Sequence, residues 1–203
     1  MEMAKQGELF GVNGPVVPAL SLVPDAVSQA EEKALTARMD AAPLEPFRFG
    51  QWRGKRMTVH YGRAYDFARG RLDDAPPLPD WLLDLREKLG PLVGADPAAL
   101  EAALLIRYDP GAGIGWHRDR PQYGEVLGLS LGASCVMRLR RRTPAGFERR
   151  KLALPPRSLY RLSDEVRWEW EHSITPMEER RWSITFRTLR SISDSRNAET
   201  QGR

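Results

Sequence analysis

The chain has 203 residues, with 31 Lys and Arg against 27 Asp and Glu and a single cysteine, Cys135. This length suits one domain with a substantial core, and one cysteine excludes an internal disulfide framework. No stretch approaches about 18 apolar residues, the minimum for a membrane-spanning helix. The mixed-charge start Met1–Phe10 does not have the form of a secretory signal. The expected compartment is therefore the reducing cytoplasm.

Taken in order, residues 1 to about 22 suggest an irregular arm. Val27–Ala42 has the spacing of an amphipathic helix, with Val27, Ala30, Leu35 and Met39 on one side and Asp25 as its N-cap. Arg56–Gly62 has strand character, and Tyr65–Asp66–Phe67 continues extended before a turn at Gly70. Pro76–Pro79 is a stiff connector. A second helix is expected from Trp81 to about Leu92, and a short third one from Pro97 to Leu104.

Beyond Leu104 the pattern changes to short strands. They are Leu105–Tyr108, Val126–Leu131, Cys135–Arg142, a return strand to Leu154 after the Pro144–Ala145–Gly146 turn, Ser158–Leu162, Arg167–Ile174 and Arg181–Leu189. Short strands at this spacing indicate a β-sandwich or barrel, so the expected class is α+β, mainly β. Ser191–Arg203 is polar and suggests a flexible tail.

Gly115–Trp116–His117–Arg118–Asp119 carries the clearest chemistry. On a strand, His117 and Asp119 point to one face and can share a metal. Two histidines and one carboxylate with open positions suit non-haem Fe(II). The chain has 3 histidines, leaving His60 and His172 as candidates for the remaining ligand. If Arg167–His172 is extended, Trp168, Trp170 and His172 share an aromatic, inward face. The competing reading is a buried histidine bonded to a carbonyl, and His60 is expected at the surface.

Along Arg181–Arg187, Arg181, Ser183, Thr185 and Arg187 share one face. Two inward arginines are costly without anions, and a small dicarboxylate would supply them through paired hydrogen bonds. The competing reading is a pair of surface arginines on an edge strand.

Together, Arg107–Tyr108–Asp109–Pro110–Gly111–Ala112, His117–Arg118–Asp119, His172 and the run Arg181–Arg187 resemble the AlkB family of Fe(II)- and 2-oxoglutarate-dependent dioxygenases. The resemblance covers about residues 104–190. It implies a double-stranded β-helix, or jelly roll, with flanking N-terminal helices. It implies Fe(II) on His117, Asp119 and His172, with 2-oxoglutarate and O2 as co-substrates. It implies 2-oxoglutarate contacts from Tyr108, Arg181, Ser183 and Arg187. The expected layout is an arm over 1–22, one domain over 23–190 with a lid at about 47–71 and a jelly roll at about 104–190, and a tail over 191–203.

The chain departs from the family pattern at Ser183 and Ile106, where the family has Asn, and at Pro121, where base-repairing members have an acid. Proline offers neither charge nor N–H.

For the substrate, the basic run Arg138, Arg140, Arg141, Arg142, Arg149, Arg150 and Lys151 faces one acid, Glu148. Arg138, Arg140 and Arg142 are candidate phosphate contacts, and Tyr61 and Tyr65 candidate stacking partners for an extruded base. The plainer readings are a solvated charged face and ordinary strand packing. The expected partner is alkylated single-stranded nucleic acid, with no obligate protein partner and a monomeric state. The alternatives are oxidation of a protein or small molecule, a non-catalytic nucleic-acid-binding jelly roll, and a zinc-bearing cupin-like domain.

Overall fold

The computed structural model describes residues 16–49 and 51–190. The tail expected over 191–203 lies outside them, as do residues 1–15 of the expected arm. The elements in chain order are β1 (Leu20–Val23), α1 (Gln29–Ala41), β2 (Glu45–Phe49), β3 (Trp52–Tyr61), β4 (Arg63–Asp66), β5 (Arg71–Asp74), α2 (Asp80–Leu89), β6 (Ala102–Tyr108), β7 (Ile114–His117), β8 (Tyr123–Gly132), β9 (Cys135–Thr143), β10 (Gly146–Leu154), β11 (Leu159–Leu162), α3 (Asp164–Trp168), β12 (Glu171–Ile174) and β13 (Arg181–Leu189). A 7-stranded sheet, β1-β11-β8-β13-β6-β3-β2, faces a 4-stranded sheet, β10-β9-β12-β7. This is the expected jelly roll with N-terminal helices.

The two faces of β13 explain the layering. Ile184 and Phe186 point to the helices and are buried with Leu35, Met39, Leu82, Leu85 and Leu89. Each buried leucine of that layer contributes about 1.5–3 kcal/mol. The alternate residues Arg181, Ser183, Thr185 and Arg187 face the smaller sheet across a cavity. β13 lies between β6 and β8, so the edge-strand reading of its arginines is wrong. Gly128 of β8 keeps room for this interior: a Cβ there would lie 2.1 Å from the Tyr160 ring.

Several boundaries differ from expectation for identifiable reasons. α1 begins after Ser28, whose side chain accepts from the Glu31 N–H while the Glu31 carboxylate accepts from the Ser28 N–H, a complete capping box. Asp25 instead sits at φ 46° and binds Arg157. Leu20–Val23 is not part of an irregular arm but pairs with β11. α2 ends at Leu89, and Gly90–Val93 tightens into a 3-10 turn. Pro97–Leu104 is no helix: a 3-10 turn at Pro97–Ala99 leads directly into β6. The expected strand Arg167–Ile174 divides into the end of α3 and the short β12. Among the described residues no helix is long and apolar enough to cross a membrane.

Candidate metal centre and its cavity

β7 and β12 pair antiparallel with His117 directly opposite His172, which sets their rings 4.3 Å apart. Asp119 lies just beyond β7 rather than on it. Its Oδ1 is nevertheless 3.8 Å from His117 Nε2 and 3.7 Å from His172 Nε2. Ligand atoms of the three residues lie within 4.8 Å of one another. His117 Nδ1 is 2.9 Å from the Gly115 carbonyl. A carbonyl only accepts, so Nδ1 carries the proton and Nε2 keeps its lone pair for a metal.

The electrostatics favour the same protonation states. Burial alone would raise the Asp119 carboxyl pKa, but the Arg187 guanidinium beside it outweighs this and holds the group below the usual carboxylate range. Arg187 Nε donates to Asp119 Oδ2 at 2.6 Å, leaving Oδ1 to face the histidines. Burial, with His117 beside it, pushes His172 down to about 3, and burial also lowers His117. Anionic Asp119 and two neutral imidazoles form the donor set that suits Fe(II) with open positions.

The cavity beside the triad has a volume of about 540 Å³, within the usual range for small-molecule sites. At its inner end Arg181 is 1% exposed. Its Nε donates to Ser130 Oγ at 3.1 Å, and the guanidinium carbon lies 5.1 Å from the Tyr108 ring centre. Among the described residues, the buried Nη1 and Nη2 make no hydrogen bond. A buried guanidinium with free donors calls for an anion, and a carboxylate can accept both hydrogen bonds at once. Tyr108 and Ser183 line the same end, so these residues fit 2-oxoglutarate.

The remaining expectations divide. Tyr65 lines the cavity, whereas Tyr61 packs against the helix-side core. His60 is not at the surface: it lines the cavity, and burial, with Arg187 and Arg56 nearby, lowers it to about 4. Trp168 and Trp170 do not flank His172 on one face. Trp168 is exposed on α3, while Trp170 is buried with Met137 and Leu139. Trp116 does line the cavity. Arg138 and Arg140 do not, but they sit over the Trp116 ring at 5.0 and 4.4 Å. Arg142 is exposed on the same outer sheet face.

Arg56, Thr58, Phe67, Arg120 and the inward Arg167 escaped the sequence reading. Arg56, Thr58 and His60 alternate along β3 and all face the cavity, but both faces of that strand are mixed in polarity. Phe67 and Tyr65 stack edge to face at 5.2 Å, with Arg120 above both. Arg167, expected on an outward face, is 3% exposed. It donates to the carbonyls of Gly124, Arg120 and Tyr123 at 2.5, 2.9 and 2.6 Å. In return, Arg118 donates to the Trp168 carbonyl at 2.8 Å. The loop that follows Asp119 is thereby stitched to the segment that precedes His172.

Comparison with known proteins agrees with this geometry. Residues 21–191 match the 2OG-Fe(II) oxygenase superfamily. An Arabidopsis thaliana protein named alkylated DNA repair protein ALKBH8 homolog is 28% identical over 184 residues, covering 78% of this chain and 51% of that one. A Danio rerio protein named probable RNA/DNA demethylase ALKBH6 is 35% identical over 121 residues, covering 59% of this chain and 49% of that one. The chain thus spans about half the length of these relatives. The solved structure of OsALKBH1 superposes with a TM-score of 0.63 at 14% identity, covering 85% of this chain and 97% of that one, and shares the fold.

Proposed function

The chain belongs to the 2OG-Fe(II) oxygenase superfamily, and from that premise we propose that it oxidatively removes alkyl groups from bases of single-stranded nucleic acid. The single observation that carries the reading is the orphaned Arg181 fork at the end of a cavity that also holds His117, Asp119 and His172. In this reading His117 Nε2, His172 Nε2 and Asp119 Oδ1 hold Fe(II). Arg181, with Tyr108 and Ser183, holds the distal carboxylate of 2-oxoglutarate. Arg187 fixes the metal carboxylate. Iron with 2-oxoglutarate and O2 supplies C–H hydroxylation, and an N-methyl group so hydroxylated leaves as formaldehyde while the nitrogen regains its proton.

The segment expected as a lid contributes Phe47, Arg56, Tyr65 and Phe67 to the cavity wall. Tyr65 and Phe67, under Arg120, suit a flat base better than an aliphatic chain. With Pro121 lacking a charge, base reading falls to these aromatics, Arg142 takes phosphate, and Arg138 and Arg140, held over Trp116, face the strand beside it. A non-catalytic module would have no use for a convergent donor triad beside an unpaired buried guanidinium. The reading further takes the protein as a DNA- or RNA-repair enzyme, monomeric, without an obligate protein partner, in a cytoplasm reducing enough to keep iron ferrous.

Pro121 and the apolar Ile106 in the cavity wall favour one second reading, oxidation of a protein side chain or small molecule. Succinate release by the iron-loaded protein, measured with and without an oligonucleotide carrying N-methylated bases, separates the two. Loss of the methyl mass coupled to succinate supports nucleic-acid dealkylation. Slow succinate release with an unchanged oligonucleotide moves the substrate to the second class.

A further inference from the structure

The smaller sheet has two unlike faces. Met137, Leu139, Leu152 and Leu154 point inward and are buried. The alternate residues of β9 and β10 point outward and form cross-strand rows. Lys151 stands opposite Arg138, Arg149 opposite Arg140, and Phe147 opposite Arg142. Like charges placed directly opposite on a sheet repel, and here two successive rows do so. The fold does not neutralise this face as it does its neighbour. On the inward side Arg141 is held by Glu148, Glu165 and Glu169. On the outward side the acid is Glu171, bound to Arg140 at 2.5 Å. Arg142, Arg149 and Lys151 have no acidic partner among the described residues.

Aromatic rings are interleaved with these charges. Arg140 lies 4.4 Å from the Trp116 ring centre and 4.6 Å from that of Phe147, bridging the two. Arg138 also covers Trp116, and Arg149 also covers Phe147. Trp116 immediately precedes the metal ligand His117 and lines the cavity. Guanidinium groups held over rings offer charge for phosphates and planar surfaces for unpaired bases. Duplex bases are already stacked on one another and could not use such surfaces.

We propose that the outward face of the β10-β9-β12-β7 sheet is a binding platform for single-stranded nucleic acid. Phosphates sit on Arg142, Arg149 and Lys151, bases stack on the arginine–aromatic array, and Trp116 leads the strand to the cavity rim. The proposal rests on the nucleic-acid reading of the substrate. It adds a surface outside the cavity that binds strands whether or not chemistry occurs.

The test is fluorescence-anisotropy titration of the 203-residue chain with a labelled, unmodified oligothymidylate, in chelator so that no turnover contributes. Wild type binds, and its log affinity falls linearly with log salt. R149E/K151E weakens binding by about tenfold or more and reduces the salt slope by about 1.4, as loss of two single-strand phosphate contacts requires. Phe147→Ala weakens binding by about fivefold or more with the slope unchanged. Lys151→Glu, facing Arg138, also raises the melting temperature of the free protein, because it turns a repulsive row into an attractive one. A purely structural role for Lys151 predicts the opposite sign. Unchanged oligonucleotide binding by R149E/K151E overturns the platform, as does equal affinity for inorganic polyphosphate of the same charge. Dealkylation that proceeds in R149E/K151E with unchanged strand affinity would sink the platform and spare the proposed function. Platform binding without dealkylation would do the reverse.

Discussion

Arg181 and Arg187 share one strand, one face and nearly complete burial, yet they stand in opposite electrostatic positions. Arg187 is closed by Asp119 at 2.6 Å, with both side chains at 10% and 8% exposure. Among the described residues Arg181 donates through Nε to the Ser130 hydroxyl, and its two buried terminal nitrogens make no hydrogen bond. One end of β13 is thus internally balanced and belongs to the protein's own metal frame. The other end is left unbalanced and becomes favourable only when an anion arrives. The same residue type in the same pattern can complete a structure or wait for a ligand, and the partner list distinguishes the cases.

Removing the shared centre should have the largest effect. Asp119→Ala is expected to abolish metal-dependent turnover and to weaken Mn(II) binding in calorimetry by about 100-fold or more. Retained Mn(II) affinity would show that the ligand set is wrong. Methionine at each arginine then sharpens the contrast in the metal-free protein. Arg187→Met strands a buried Asp119 and should lower unfolding free energy by about 3–5 kcal/mol in denaturant titration. Arg181→Met removes a desolvated, unmatched charge and should leave stability unchanged or raise it by about 1 kcal/mol. The KM for 2-oxoglutarate should rise by about 100-fold in that variant, equivalent to two lost charge-assisted hydrogen bonds. A destabilised Arg181→Met with normal 2-oxoglutarate affinity would erase the distinction.

Arg167→Gln should weaken Mn(II) affinity by about 10- to 100-fold while the 2-oxoglutarate KM changes little, since the clamp orders the metal loop and not the Arg181 end. The smallest effect lies away from both ends. The Lys88 and Ser28 contacts lower Glu31 from 4.5 to about 2. The folded state therefore binds this proton less readily, and the stabilisation is present above pH 4.5 and fades as pH falls toward 2. Because both side chains are exposed, Lys88→Ala should remove only about 0.2–1 kcal/mol of that pH-dependent stability.

What was legible in the sequence follows from what is local. The period-two pattern of Arg181–Arg187 put both arginines on one face, with its inward direction set only by the pairing of β13 between β6 and β8, and a histidine and an aspartate two residues apart needed only a third ligand from a short list. Trp168–Glu169–Trp170 alternates like a strand, but three residues cannot separate that period from the end of one helical turn. α3 in fact ends at Trp168. Arg167 was misplaced because its acceptors are backbone carbonyls more than 40 residues away, which leave no trace in residue identity. Asp25 was misread as a cap because its partner, Arg157, lies 132 positions along the chain. The Ser28–Glu31 capping box was local and available.

The Arg167 clamp also bears on how this site can change. It grips residues 120, 123 and 124 through carbonyl oxygens, which every amino acid possesses. Pro121 lies inside that gripped loop. The Pro121 side chain can be exchanged without giving up any of these carbonyl contacts, whereas Tyr123 is buried and its hydroxyl donates to the Arg63 carbonyl. The clamp that orders the loop after Asp119 is thereby indifferent to the side chain at 121, so variation there leaves its backbone frame in place.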